Sequence, residues 1–270
     1  MTATDPQTGY APVNGLEMYY EVHGSGRPLV LLHGALSTTS VDFGALLPSL
    51  AKGRQVIAVE QQAHGHTADI DRPLTIDQMA DDTAALLGHL GIEQADLFGY
   101  SMGAGIALRI TLEHPELVRK LAVASLAHTR DGLHPGLLEG LEGVTPEVLA
   151  GTPFQLAYAR EAPDPEAWPT LVAKVNDMNR RIPEWPAEII GSIAAPTLLI
   201  IGDSDIVRPE HAVEMFRLLG GGVIGDLVGL PRSQLAVLPG TTHVTLVQRG
   251  DWLSSMIGAF LDAPDPAAQP

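Results

Sequence analysis

"DLFGYSMGAG", residues 96–105, sets one serine between glycines two positions before it and two after it. Ahead of the serine, "ADLFG" is a short apolar run of strand type; behind it, "MGAGIALRITLEH" has helical spacing. A strand that turns directly into a helix forces its apex residue into a strained backbone conformation. Positions two away must then lack side chains, or strand and helix collide. Gly99 and Gly103 meet that need, and Gly105 is expected to let the helix lie close to the sheet. Ser101 is thereby held out at the apex, beside a helix N-terminus whose unpaired N–H groups favour negative charge. The five residues form a G-x-S-x-G nucleophile elbow.

Working outward, the same strand type recurs. "LEMYYEVHG" is entered through the turn pair Asn14-Gly15, and further strands are expected at 28–34, 55–61, 95–101, 120–125, 196–203 and 234–240. Helical patterns fall at 75–90, closing on Gly91, and at 102–114, 209–219 and 251–262. Such alternation predicts an α/β fold with a mostly parallel sheet. The rhythm breaks over 128–192, where helical fragments are punctuated by Pro135, Pro146, Pro153, Pro163, Pro165, Pro169, Pro183 and Pro186. A small helical insertion at 128–192, on a core of 1–127 and 193–270, accounts for the break. Composition is continuous across it, which argues against an independently folding domain. The tail "DAPDPAAQP" is expected to be disordered.

Composition narrows the function. Thirty-two Asp and Glu against 16 Lys and Arg leave a net charge of −16 over 270 residues. Nucleic acid and an anionic membrane surface would both repel such a chain, so neither is expected as a partner. There is no cysteine, which excludes a disulfide frame, a thiolate nucleophile and a Cys-based zinc site. No basic cluster leads into an apolar run at the start, and no stretch of about 18 apolar residues occurs. A cytoplasmic protein is expected, although a processed secreted one would read the same way. A homo-oligomer is left open.

A serine hydroxyl needs a base to take its proton, and that base needs a third group to orient it. Of ten histidines, His243 in "LPGTTHVTL" lies just past the last expected strand, on a loop at the same end of the sheet as Ser101. His89 and His114 fall near helix ends, where solvated roles are usual. The acid should follow the preceding strand, "PTLLIIGDSDIVRP", which offers Asp203 and Asp205. A loop position suits an acid that must reach sideways, which favours Asp205.

With the order Ser101, Asp205, His243 in hand, the chain resembles the α/β-hydrolase fold family over nearly its whole length. "LLHG", "AHGHT", "GYSMGAG", "GDSDIVRP" and "GTTHV" fall in the family's usual order. The resemblance implies a mostly parallel eight-stranded sheet flanked by helices, and it adds weight to Asp205. It further implies an oxyanion hole from the backbone N–H groups of Ala35 and Met102, with His33 shaping the loop. The insertion would be a cap over the nucleophile, with Phe154, Tyr158 and Trp168 as candidate substrate contacts and His128 at the pocket mouth or solvated. Self-packing within the cap is the simpler account of any one of these residues.

"His64-x-His66-x-x-Asp69" invites a metal reading, but three residues on one short loop only begin a site, and no metal is expected. Nor is a cofactor. The expected function is hydrolysis of small-molecule carboxylic esters, short- to medium-chain or aryl, through an acyl-enzyme on Ser101. Lactone opening, carbon–carbon bond hydrolysis and perhydrolysis share the same triad. A slow-turnover ligand receptor on this fold is the rival outside enzymology, and a stoichiometric burst without turnover would distinguish it. A metallohydrolase would lose activity to a chelator, whereas the triad would not.

Overall fold

In the computed structural model, residues 6–141 and 143–264 are described; the end of the expected disordered tail, 265–270, lies outside them. The strands are β1 (Gln7–Val13), β2 (Leu16–His23), β3 (Arg27–Leu32), β4 (Arg54–Val59), β5 (Ala95–Tyr100), β6 (Val118–Ala124), β7 (Thr197–Ser204) and β8 (Ser233–Thr242). They form one eight-stranded sheet in the order β1-β2-β4-β3-β5-β6-β7-β8. The β1–β2 and β2–β4 pairs are antiparallel, and every later pair is parallel.

Asn14 and Gly15 both take positive φ, 47° and 86°, the backbone a two-residue hairpin turn demands. The strand before that turn, β1, is absent from the sequence-based strands. Its "QTGYAPV" carries Gly9 and Pro12, residues that weaken a strand signal but are tolerated where only one neighbour must be paired.

Helices α1 (Thr39–Phe43) and α2 (Leu47–Leu50) follow β3, α3 (Ile76–His89) follows β4, and α4 (Met102–Glu113) follows β5. Between β6 and β7 come α5 (Leu137–Leu141), α6 (Pro153–Glu161), α7 (Trp168–Arg180) and α8 (Ala187–Gly191). Helices α9 (Pro209–Leu218) and α10 (Gly225–Val228) precede β8, and α11 (His243–Leu246) and α12 (Gly250–Asp262) follow it. α3 illustrates how sequence makes a helix here. The Thr75 hydroxyl caps it by accepting from the Gln78 N–H at 3.1 Å, and Ile76, Met79, Ala80, Thr83, Leu86 and Leu87 turn inward at helical spacing. Gly91, at φ 68°, ends it.

Alternate residues of the central strands feed two apolar layers. Val30, Leu32, Ile57, Val59, Leu97 and Leu121 pack with α3 and α4, whereas Leu29, Leu31, Val56, Ala58, Phe98 and Ala122 pack with α2 and α12. Both faces are covered, as a parallel sheet requires. The first layer continues without a break into Tyr158, Trp168, Leu171, Val172 and Val175 of α6 and α7. The helices of the 128–192 segment therefore share the core's apolar cluster.

β3 lies between β4 and β5, so the chain leaves β3 toward one side and returns to β5 on the other. That reversal opens a crevice at the carboxyl ends of β3 and β5. The register Leu32↔Gly99 carries the segment after β3 alongside Tyr100 and Ser101.

Candidate active site

Ser101 stands at φ 54°, ψ −117°, a region that costs a non-glycine residue about 1–3 kcal/mol. The elbow is held by its own backbone: the Ser101 N–H donates to the Ala124 carbonyl at 2.9 Å, and its carbonyl accepts from Ala104 and Gly105. A methyl group at Gly99 would strike the Gly103 carbonyl, and one at Gly103 would strike the carbonyl of Leu32. Gly105 corrects the sequence expectation. A methyl group there would meet only the Ile76 side chain of α3, at 3.4 Å, so close approach to the sheet depends on Gly103.

The three residues drawn from distant parts of the sequence come together. His243 Nε2 is 3.0 Å from Ser101 Oγ, and His243 Nδ1 is 3.0 Å from Asp205 Oδ1. His243 is the first residue of α11 rather than a loop residue, with Thr242 capping that turn. The Tyr100 hydroxyl donates to the His243 carbonyl at 2.8 Å, and their rings lie 5.2 Å apart. Exposure grades along the relay: the Asp205 side chain is fully buried and that of His243 is 18% exposed.

Asp205 is the best-held carboxylate of the site. It accepts from the Ser125 hydroxyl at 2.6 Å, the Gly202 N–H at 3.2 Å and the Val207 N–H at 3.3 Å. Burial alone would lift its pKa, but His243, Ser125 and the Gly202 N–H outweigh it and hold the carboxyl below its ordinary range. An ionised acid beside Nδ1 fixes that nitrogen as the donor and leaves Nε2 to accept. Asp203 serves differently. It accepts from the N–H groups of Gly240 and Thr241, bracing the segment that leads to His243.

The loop after β3 is built for rigidity. The Gly34 N–H donates to Asp42 at 2.8 Å, the Leu36 N–H to His64 Nε2 at 3.1 Å, and the Ser37 N–H to the Gly34 carbonyl at 3.3 Å. In that run the Ala35 N–H is left without such a bond among the described residues. Met102 supplies the first N–H of α4, which a helix cannot pair internally. His33 spans the same loop, its Nδ1 donating to the Gly34 carbonyl and its Nε2 accepting from the Gln61 N–H. Both histidines are therefore braces. Burial, with the nearby His33, pushes His64 down to about 3.

Other expected residues fare less simply. Tyr158 and Trp168 are buried with their rings 5.2 Å apart, so they pack on one another, and Phe154 is half-buried. His128 is 3% exposed, stacks on His211 at 4.3 Å and lies 2.9 Å from the Trp185 carbonyl. That burial corrects the solvated alternative. The trio His64, His66 and Asp69 is not assembled: both nitrogens of His64 are engaged, and Asp69 binds Gln62 and Lys174.

Asp42 and Ser125 escaped the sequence reading. Ser125 directly follows β6, beside β7, a strand-end position that the crevice rule could have flagged, and it adopts φ 57°. Asp42 carries no such signal. Its role exists only because α1 folds back beneath residues 34–37.

Comparison with known proteins bears on the fold. A sequence model for the alpha/beta hydrolase fold matches residues 27–144. A protein of Azorhizobium caulinodans, whose name proposes a carbamate hydrolase, is 31% identical over 273 residues, 93% of this chain and 97% of that one. The chain belongs to the α/β-hydrolase fold family. Another member, the 2-hydroxymuconate semialdehyde hydrolase of Pseudomonas sp. strain CF600, is 28% identical over 91% of this chain and 90% of its own length. The solved structure of a meta-cleavage product hydrolase from Pseudomonas fluorescens IP01 shares the fold with a TM-score of 0.75, at 22% identity over 96% of this chain and 98% of that one. Among the described residues of this α/β hydrolase, no helix is long and apolar enough to cross a membrane.

Proposed function

We propose that the protein is a serine hydrolase of small-molecule carboxylic esters, acting through an acyl-enzyme on Ser101. The observation that carries this is the unbroken relay from Ser101 Oγ to His243 to Asp205, with two 3.0 Å steps and a buried acid at its end. His243 Nε2 takes the hydroxyl proton as Oγ attacks the ester carbonyl. The Ala35 and Met102 N–H groups hold the resulting oxyanion, each contributing about 3–4 kcal/mol to the barrier reduction. His243 returns the proton to the departing alcohol, then takes one from water as that water attacks the acyl carbonyl, and hands it to Ser101 Oγ as the acid leaves. Asp205 stays ionised throughout and steadies the imidazolium. Residues 128–192 act as the cap over this site, with Phe154 the half-exposed aromatic available to an acyl chain.

A chain-length series of p-nitrophenyl esters tests the proposal. Steady turnover beyond one equivalent, with a serine-bound acyl group mapped to Ser101 by mass spectrometry, is the expected result. A burst of one equivalent followed by negligible turnover would count against it. A second reading, carbon–carbon bond hydrolysis, is favoured by the near full-length similarity to a 2-hydroxymuconate semialdehyde hydrolase. Consumption of 2-hydroxymuconate semialdehyde would reveal it, and the two readings are separated by the ratio of kcat/KM on the two substrate classes.

A further inference from the structure

The loop after β4 holds a second polar cluster that the relay does not use. Glu60 directly follows β4 and its side chain is 2% exposed. Its Oε2 accepts from the His66 backbone N–H at 2.6 Å and lies 2.8 Å from His66 Nδ1. Tyr19 stacks on that imidazole, ring centres 4.3 Å apart. Glu161, the last residue of α6, arrives from the 128–192 segment with a side chain only 9% exposed. Its Oε1 accepts from the Ser40 hydroxyl at 2.8 Å and from the Arg160 guanidinium, whereas Oε2 is buried with no hydrogen-bond partner. One ligand atom from each of Glu60, His66 and Glu161 lies within 4.8 Å of the other two.

Two buried carboxylates thus converge on one imidazole. The cation paired with Glu161, Arg160, is 66% exposed and screened by solvent. A buried carboxylate oxygen with no partner is costly unless a cation meets it.

We propose that Glu60, His66 and Glu161 form a binding site for a divalent transition cation of the zinc type, with one imidazole nitrogen and two carboxylate oxygens as donors. Donors about 2.0–2.2 Å from a common zinc ion stand roughly 3.4 Å apart in tetrahedral geometry, so small side-chain rotations close the site. The ion would tie α6 to the loop after β4, and so clamp the helix that carries Phe154. The site is independent of the serine relay. Of the other candidate groups, His128 and His211 stack with only 21° between ring planes, so their in-plane lone pairs cannot converge on one ion.

The test uses the full chain, stripped with a chelator and titrated with zinc chloride by calorimetry. Expected are one saturable site per chain, a raised Tm, and affinity weakened about ten-fold or more by Glu161→Gln and by His66→Gln. Cobalt(II) should give visible absorption that Glu161→Gln abolishes, and ester turnover of the stripped protein should be the same in wild type and Glu161→Gln. The absence of a saturable site, or equal affinity in wild type and Glu161→Gln, would overturn the proposal and leave the cluster as a proton-held contact. Glu161→Gln keeps the Ser40 hydrogen bond, so it decides the matter even if His66→Gln does not fold.

Discussion

Lowering the pH should destabilise this protein through His64. In the folded state its Nδ1 donates to the Gln62 carbonyl at 2.8 Å and its Nε2 accepts from the Leu36 N–H at 3.1 Å, so the buried ring has no room for a second proton. Burial lowers its pKa to about 3, against an ordinary value near 6.5. The sign follows from linkage. Between those two values the unfolded chain binds a proton that the folded one refuses, so stability falls as pH falls through 6.5 toward 3. At pH 5 the unfolded state gains about 2 kcal/mol from this one group relative to pH 8, since each full unit below 6.5 contributes about 1.36 kcal/mol. The figure is insensitive to the folded pKa provided that value stays well below 5. The perturbation is His64→Gln, whose amide can donate and accept as the imidazole does but cannot titrate. Urea unfolding of both proteins at pH 8 and pH 5 yields a double difference in which His211 and the carboxylates cancel. The variant should lose about 2 kcal/mol less than wild type between the two conditions. A double difference near zero would refute the claim that His64 is held neutral by its two hydrogen bonds.

Ser101→Ala should cut ester turnover by at least about a thousand-fold while leaving the circular dichroism spectrum unchanged; turnover within ten-fold of wild type would remove Ser101 from the mechanism. Gly103→Ala should destabilise by about 2–3 kcal/mol by driving a methyl group into the Leu32 carbonyl. Gly105→Ala, with room beside Ile76, should instead stabilise α4 by about 0.5–1 kcal/mol, and urea midpoints will tell the two apart. Ser125→Ala and Ser125→Gly should each lower kcat about ten-fold by loosening Asp205. Ser125→Gly should be the more stable of the two because glycine accepts φ 57° without strain, so a Ser125→Gly protein with wild-type kcat would dismiss the positioning role.

Glycine spacing and strand rhythm made much of this site legible in advance. Gly99-x-Ser101-x-Gly103 between an apolar strand and a helix permits few geometries, because only a tight elbow needs two missing side chains flanking one hydroxyl. The carboxyl-end rule then led from Ser101 to Asp205 and His243, each just past a strand. β1 was invisible because Gly9 and Pro12 obscure its alternation, which matters little at a sheet edge but would be decisive at its centre.

What the chain's order of residues determined, taken alone, is local: which segments are strands, where the backbone must bend, and which side chains end up at strand ends. Tertiary structure decided what those ends meet. Asp42 became the anchor of the Gly34 N–H, Ser125 the partner of Asp205, and His64 a brace rather than a metal ligand, because strand order and helix packing brought together residues up to 80 positions apart. Hydrogen bonds reach about 3 Å and act between whatever the fold juxtaposes, so no periodicity along the chain can announce them.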